Sequence, residues 1–132
     1  LIDPEHPTVF ATYSDGGDSY AVDSVGDYAY VAAGSAGLLV FDITDSATTT
    51  AVGSYGGCTG AVDVDVCGSF AYVADVVDGL IVLDVSDPTD PQLLGQWQDG
   101  TEALHGIAVA GRYAYAINDV SGLHVLDLVG AP

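Results

Sequence analysis

Residues 68–88 read GSFAYVADVVDGLIVLDVSDP, and this stretch decides the fold. An aromatic and β-branched run from Phe70 to Ala74 predicts one strand, and the almost wholly apolar run from Leu80 to Val85 predicts the next. The polar turn Asp78-Gly79 separates the two runs, and Ser86-Asp87-Pro88 ends the second. Because no apolar pattern at helical spacing accompanies them, the stretch indicates an all-β structure.

The landmarks of this stretch recur on both sides of it, stepping by 42 and then by 43 residues. Chance does not keep several landmarks in one register, so the single segment 1–132 is interpreted as three tandem repeats, approximately 3–44, 45–86 and 87–128. The landmarks are the turn glycines Gly26, Gly68 and Gly111, the aromatic strands 28–32, 70–74 and 113–117, the pairs Gly37-Leu38, Gly79-Leu80 and Gly122-Leu123, and the apolar ends 40–42, 82–84 and 125–127.

Each repeat is predicted to form four short antiparallel strands. In the second repeat the first strand is the alternating run Val62 to Val66, and the last lies near Leu93 to Trp97. Strands that are apolar throughout need cover on both faces, which a sheet has when it lies between two like sheets. The repeats are therefore predicted to be blades of a β-propeller. Propellers usually have four to eight blades, so three repeats predict an incomplete ring on their own.

The phase of the repeats leaves an unmatched strand at each end. Asp3-Pro4 aligns with Asp87-Pro88, so the chain is expected to begin on an outer strand. We hypothesise that this strand completes a blade begun by the third strand of another segment, because exposed edges invite pairing. An excerpt of a six- to eight-bladed propeller, two chains closing a six-bladed ring, and a filament all fit this hypothesis. The two assembly strands are Thr8, Val9, Phe10, Ala11, Thr12 and Tyr13, and Leu123, His124, Val125, Leu126, Asp127 and Leu128.

The second repeat resembles a known family. The run from Gly79 to Pro88, preceded by the run from Gly68 to Asp75, resembles the LVIVD repeat of bacterial and archaeal surface β-propellers. The first repeat departs from it at Thr44-Asp45-Ser46, where Pro is missing, and the third departs at Leu128-Val129-Gly130, where the Ser-Asp-Pro break is gone. The resemblance implies an exported, usually surface-associated propeller and no established reaction.

The charge balance excludes two classes of partner. The chain has 19 acidic residues and one basic residue, Arg112, for a formal net charge of −18. Phosphate backbones are bound by Lys and Arg, so nucleic acid and anionic membrane surfaces are excluded as partners. No apolar stretch is long enough to insert into a bilayer, and the first residues show no targeting segment, which suggests processing or a piece of something larger.

A net charge of this size destabilises a compact fold unless salt or divalent cations screen it. Asp23, Asp63 and Asp65 fall on the innermost strands, where their carboxylates could line the channel and bind Ca²⁺. The alternative is a solvated channel wall, with many other Asp residues serving as turn formers. Ala108 occupies the corresponding position of the third repeat, which weakens a symmetric metal ring.

The remaining candidates are two cysteines, three histidines and an aromatic set. Cys58 and Cys67 suggest a disulfide by their even number, but the extended residues between them place the thiols far apart within one chain. An intermolecular bond and two free thiols therefore stay open. The histidines fall at three different repeat phases, which disfavours a zinc site. Tyr13, Tyr55 and Trp97 occupy equivalent ends of the outer strands, as an aromatic rim for ligands or as packing between blades.

No catalytic constellation stands out, so we expect a protein that is not an enzyme and has no cofactor, with calcium as the one candidate ion. The leading expectation is an extracellular or cell-surface propeller module that serves as a structural, assembly or protein-interaction unit. Its expected partner is a further copy of itself, as an oligomer or filament, or the remaining blades of a longer chain. The alternative is a ligand-binding, metal-binding or enzymatic propeller with its site at the channel mouth.

Overall fold

The computed structural model describes residues 2–13, 18–44, 46–47, 49–98, 100 and 103–129. In these residues the regular structure consists of β-strands, and no helix is long and apolar enough to cross a membrane. The strands are β1 (Ala21–Val25), β2 (Tyr28–Ala32), β3 (Leu38–Asp42), β4 (Gly53–Tyr55), β5 (Ala61–Cys67), β6 (Phe70–Asp75), β7 (Gly79–Asp84), β8 (Gln92–Trp97), β9 (Leu104–Ala110), β10 (Tyr113–Asn118) and β11 (Gly122–Asp127).

The strands form three antiparallel meanders in chain order. Sheet 1 has the order β1-β2-β3-β4, sheet 2 has the order β5-β6-β7-β8, and sheet 3 has the order β9-β10-β11. The predicted all-β fold of propeller blades that do not close into a ring is confirmed. Sheet 3 has three strands among the described residues, since no outer strand pairs with β11, as the phase of the repeats predicts.

A glycine with a positive φ angle precedes the leucine of the third strand in each sheet, and in sheets 1 and 2 the neighbouring outer strand also comes very close to it. Gly37 and Gly79 have φ angles of +83° and +81°, which residues with a Cβ rarely adopt. A Cβ on Gly37 would also collide with the carbonyl oxygen of Tyr55, and one on Gly79 with that of Trp97. The repeated Gly-Leu pair therefore reflects a steric requirement at the place where the third and fourth strands meet.

The middle sheet is covered on both faces, which explains its continuous apolar runs. One face packs against sheet 1, where Leu38 and Val40 meet Ile81 and Leu83 of β7. The other face packs against sheet 3, where Leu80 belongs to a second buried cluster with Leu104, Ile107 and Ala114. The two cores lie between consecutive sheets, as expected for consecutive blades.

The segment 8–13 was expected to become an outer strand by pairing with another segment, and that pairing stays a prediction, because the structure holds one chain. These residues form no strand, and the apolar side chains of Val9 and Phe10 are 82% and 73% exposed. An outer strand pairs with the third strand of its sheet. The third strands of sheets 1 and 2, β3 and β7, are already paired with β4 and β8. Of the sequence departures from the repeat, Asp45 and Gly130 lie outside the described residues.

Candidate functional site

The outward face of sheet 3 is an apolar surface that has no cover in the described chain. Leu123 is 59% exposed and Val125 is 53% exposed. The repeat equivalents of Leu123 are buried, since Leu80 is 2% exposed and Leu38 is 0% exposed, and those of Val125 are the half-buried Val82 and the buried Val40. Tyr115 and Ile117 extend this surface on β10, because they pair directly with Val125 and Leu123. We call the four residues Tyr115, Ile117, Leu123 and Val125 the open face.

The strand β11 also has a free edge. β3 pairs with β4 and β7 pairs with β8, whereas β11 pairs with β10 alone among the described strands. A free edge presents unpaired backbone N–H and C=O groups that can accept a further strand. The open face and this edge are adjacent, so one incoming segment of protein could cover both.

The N-terminal residues 3–6 already have the turn that precedes an outer strand. The Glu5 N–H donates to Asp3 Oδ1 at 3.2 Å, as the Thr89 N–H donates to Asp87 Oδ1 at 3.0 Å before β8. Asp87 also accepts the Thr89 hydroxyl, and these bonds lower the pKa of its carboxyl group. The local conformation of an outer strand's entry is therefore formed where no strand follows.

The aromatic residues Tyr13, Tyr55 and Trp97, which match one another in the repeats, pack on the sheets. The Trp97 ring lies 5.2 Å from the His124 ring of sheet 3, edge to face, and the Tyr13 ring lies 5.8 Å from the Phe41 ring of sheet 1. Tyr55 packs against the core between sheets 1 and 2. Of the two interpretations of this aromatic set, packing between sheets is the one that these contacts support.

The carboxylates of the innermost strands hold consecutive sheets together. Asp23 Oδ2 accepts the Val66 N–H at 2.7 Å, and its repeat equivalent Asp65 accepts the Val109 N–H at 2.6 Å. Asp63 Oδ2 accepts the N–H of Ile107 at 2.9 Å. In each case the donor lies on the innermost strand of the next sheet, so these three residues form inter-sheet hydrogen bonds that the sequence did not predict.

The same carboxylates lie close enough to affect one another. Burial raises the pKa of Asp65, and the neighbouring Asp23 and Asp63 raise it further, against the opposing effect of the Val109 N–H. In the described part of the chain, no group of three or more His, Cys, Asp or Glu residues is placed to hold a metal ion. Calcium binding at Asp23, Asp63 and Asp65 remains a prediction.

The cysteines are both free thiols. Cys58 is buried before β5, and Cys67 is exposed at the end of that strand. Burial, followed by the charges of Asp75 and Asp78, raises the pKa of the Cys58 thiol to about 12. Only Cys67 is therefore available for a bond to another chain.

The histidines have separate neighbours. His6 lies 3.0 Å from Asp3, and His105 lies 3.1 Å from Asp119. The Nε2 atom of His124 lies 2.9 Å from the hydroxyl oxygen of Ser121, a contact that the sequence analysis did not find. The sequence signal for this contact is that Ser121 and His124 are three residues apart at a turn.

A cleft of about 570 Å³ opens between sheets 1 and 2 beside the starts of their innermost strands. Its lining includes Asp18, Tyr20, Ser35 and Thr59, together with small residues such as Gly34. No pattern in the sequence indicates this cleft, because its two walls come from different repeats.

Comparison with known proteins agrees with this architecture. The family model described as "LVIVD repeat" matches residues 16–56 and 60–99. No curated protein matches the chain. Among solved structures, the computationally designed Ika8 protein gives a TM-score of 0.68 at 12% identity, over 84% of this chain and 33% of Ika8. The computationally designed Ika4 protein gives a TM-score of 0.52 at 8% identity, over 93% of this chain and 99% of Ika4.

The chain thus spans about a third of the length of the Ika8 protein. At these identities the two likenesses show the fold alone. The family match covers more than half of the chain and falls on the two repeats that build sheets 1 and 2.

Proposed function

Because the chain belongs to the LVIVD-repeat family, we propose that it is a non-enzymatic, exported module that builds larger protein assemblies through its third sheet. The observation that carries this proposal is the open face. On the last sheet Ile117, Leu123 and Val125 are exposed and Tyr115 is half-buried, whereas their repeat equivalents in sheet 2 pack in the core between sheets 2 and 3. Burying them would remove apolar surface from water, which favours association by about 25 cal/mol per Å² before the costs of binding.

The charge of the chain supports a role outside the cell, at a surface or in an extracellular layer. A net charge of −18 keeps separate molecules soluble, and it is tolerated best where salt screens it. The same charge sets the kind of contact that assembly uses. With one basic residue, Arg112, which pairs with Asp127, the chain cannot associate with an acidic copy through ion pairs, so apolar faces and backbone edges must supply the contact.

Association in solution tests the proposal. We expect the wild-type chain to exceed its monomer mass of 13.4 kDa in light scattering at moderate salt, and Val125→Lys to return it to that mass. Val120→Lys is the matched control, since Val120 is 76% exposed in the turn before β11 and lies off the open face. A wild-type chain that stays monomeric at every concentration, or an association that Val125→Lys leaves intact, would contradict the proposal.

A further inference from the structure

We propose that a second copy of this chain covers the open face, by donating residues 8–13 as the fourth strand of sheet 3. The donation is reciprocal, so that two chains close one ring of six sheets. This inference rests on the assembly function proposed above and names the partner for the same surface.

The described chain has one segment that matches an outer strand but forms none, and one third strand that no outer strand covers. We call them the donor segment and the acceptor edge. Residues 3–13 match residues 87–97 at the Asp-Pro turn, at a second proline and at the terminal aromatic residue. Residues 92–97 form β8, paired with β7, whereas the matching residues 8–13 lie outside the strands of the described chain. In sheet 3 the strand equivalent to β7 is β11, and no fourth strand pairs with it in the described chain.

The donor cannot reach the acceptor within one chain while the fold is intact. Tyr13 holds the end of the donor segment against Phe41 on the outer face of sheet 1. β11 lies in sheet 3, and sheet 2 fills the space between sheets 1 and 3 with a core on each side. The acceptor must therefore come from a second molecule.

The donor segment lies against sheet 1 in the way that the outer strand of sheet 2 lies against sheet 3. Trp97 ends the outer strand of sheet 2 and packs on sheet 3, the next sheet along the chain. Tyr13 makes a similar contact with sheet 1 through Phe41, which lies two residues along the third strand from the repeat equivalent of His124, Leu39. Sheet 3 of a second copy could thus pair with residues 8–13 and place its open face against sheet 1, as sheets 1 and 2 already pack against their successors.

The outer face of sheet 1 is apolar, as this packing requires, but its central residues are already buried in the single chain, so a second copy would pack at their margin. Ala33, Leu39 and Phe41 form a small buried cluster on its outer face, with Tyr13 and Val31 packed at the margin. The repeat equivalents of Leu39 and Phe41 are Ile81 and Leu83, which belong to the core against sheet 1. The contact between two copies would therefore repeat an interface that the chain builds twice within itself.

The number of sheets favours closure by two chains. Two copies supply six sheets, within the range of four to eight that closes a propeller, and three copies would supply nine. The contact is heterologous, because the donor segment and the acceptor edge are different surfaces. Two such contacts close the ring and leave no acceptor edge exposed, which ends the assembly.

The repeats also give the register of the new pairing. In sheet 2, Val82 lies opposite Gly95, and Asp84 lies opposite Gln92. Transferred by repeat equivalence, Val125 lies opposite Ala11 of the second copy, and Asp127 lies opposite Thr8. A disulfide forms only when the two Cα atoms lie within about 7 Å, so paired cysteines can test this register.

The decisive variant is Ala11→Cys with Val125→Cys, in a Cys67→Ser background that removes the exposed native thiol. After mild oxidation, we expect a non-reducing gel to show a dimer as the main band, and light scattering to give twice 13.4 kDa. The control is Thr8→Cys with Val125→Cys, which displaces the thiols by two positions, or about 7 Å, along β11. We expect at least a tenfold lower yield of cross-linked dimer from the control.

Each result decides a different part of the proposal. A ladder of larger species from the matched pair overturns the closed ring, and equal cross-linking of matched and control pairs overturns the register. If the wild-type chain associates through Val125 and the matched pair does not cross-link, strand donation fails and the assembly function stands. A wild-type chain that is monomeric by light scattering overturns both, with further blades of a longer chain then left to cover the open face.

Discussion

Asp75 is a buried carboxylate that joins two parts of one sheet through backbone hydrogen bonds. Its Oδ1 atom accepts the N–H groups of Val77 and Asp78 at 2.8 Å each, in the turn that follows β6. Its Oδ2 atom accepts the N–H groups of Thr59 and Gly60 at 3.0 Å and 2.9 Å, where the chain enters β5. The side chain is fully buried, so its charge is stabilised by these donors in place of water.

The replacement Asp75→Ala is expected to destabilise the fold strongly. It removes the acceptor of three partly buried N–H groups and one of the two acceptors of the Thr59 N–H, which also donates to Asp78, and hydrogen bonds to a charged group contribute about 1.5–3 kcal/mol each in favourable cases. We expect a loss of roughly 3 kcal/mol or more in the free energy of unfolding, measured by urea denaturation monitored by circular dichroism.

Asp75→Asn is the matched control, because the third repeat has Asn118 at this position. The Asn118 Oδ1 atom accepts the N–H groups of Val120 and Ser121 at 2.6 Å and 3.1 Å. An Asn at residue 75 can therefore keep the turn bonds, while its NH₂ group cannot accept from Thr59 and Gly60. Its loss should lie between zero and that of Asp75→Ala, and equal losses for both variants would contradict the role assigned to the four bonds.

Two of the four hydrogen bonds to Asp75 could be predicted from the sequence. Asp75 stands directly before a turn, and an Asp there usually accepts N–H groups from the next two or three residues, which is what Val77 and Asp78 donate. The bonds from Thr59 and Gly60 could not be predicted, because backbone N–H groups carry no residue signature. They depend on how the chain enters β5, about fifteen residues earlier.

At the scale of the element, the innermost strands carry a directional contact. Asp23 and Asp65 each accept an N–H from the next sheet, so the carboxylates of one strand hold its successor. Alternation in the sequence correctly placed Asp63 and Asp65 on one face of their strand. The alternation does not predict which groups these side chains contact, because the partners are backbone N–H groups of the next repeat.

The pair Asp65→Ala and Asp65→Asn separates the hydrogen bond from the charge. Alanine removes the acceptor of the Val109 N–H, whereas asparagine keeps an oxygen acceptor and removes the negative charge beside Asp23 and Asp63. We expect Asp65→Ala to be less stable than Asp65→Asn by about 1–2 kcal/mol at neutral pH. Urea denaturation measures this difference, and a variant pair of equal stability would argue against the inter-sheet bond.

The same pair gives a pH dependence with a definite sign. Burial and the neighbouring carboxylates raise the pKa of Asp65 above its ordinary value of 3.8, so folding favours the protonated form. The stability gained from protonation is complete below 3.8 and is lost as the pH rises through the raised pKa. Wild type should therefore lose stability relative to Asp65→Asn between acidic and neutral pH. A difference that is constant with pH, or that grows toward low pH, would exclude this account.

At the scale of the whole molecule, the repeat decided most of what could be predicted. Four landmarks in one register gave the three sheets, their strand order and the missing outer strand of sheet 3. The repeat phase also indicated that residues 8–13 lack a partner edge in their own blade, and in the single chain they form no strand. The open face follows from the same absence, since Leu123 has the same residue type as the buried Leu80.

Net charge acts on all three sheets at once, and its screening can be measured directly. The Debye length falls from about 10 Å at 0.1 M salt to about 3 Å at 1 M, so repulsion among 19 acidic residues and one basic residue weakens. We expect the melting temperature to rise with NaCl concentration, by roughly 4 °C for each kcal/mol of repulsion removed. Differential scanning calorimetry measures this shift.

A comparison of NaCl with CaCl₂ at equal ionic strength separates screening from a calcium site. If the carboxylates of Asp23, Asp63 and Asp65 serve as acceptors of inter-sheet N–H groups, their oxygens are already engaged, and calcium should add little to the shift that NaCl produces. A larger shift with calcium, reversed by a chelator and absent in Asp65→Asn, would instead place a bound cation at these residues. A melting temperature that falls with added NaCl would show that self-repulsion does not limit the stability of this fold.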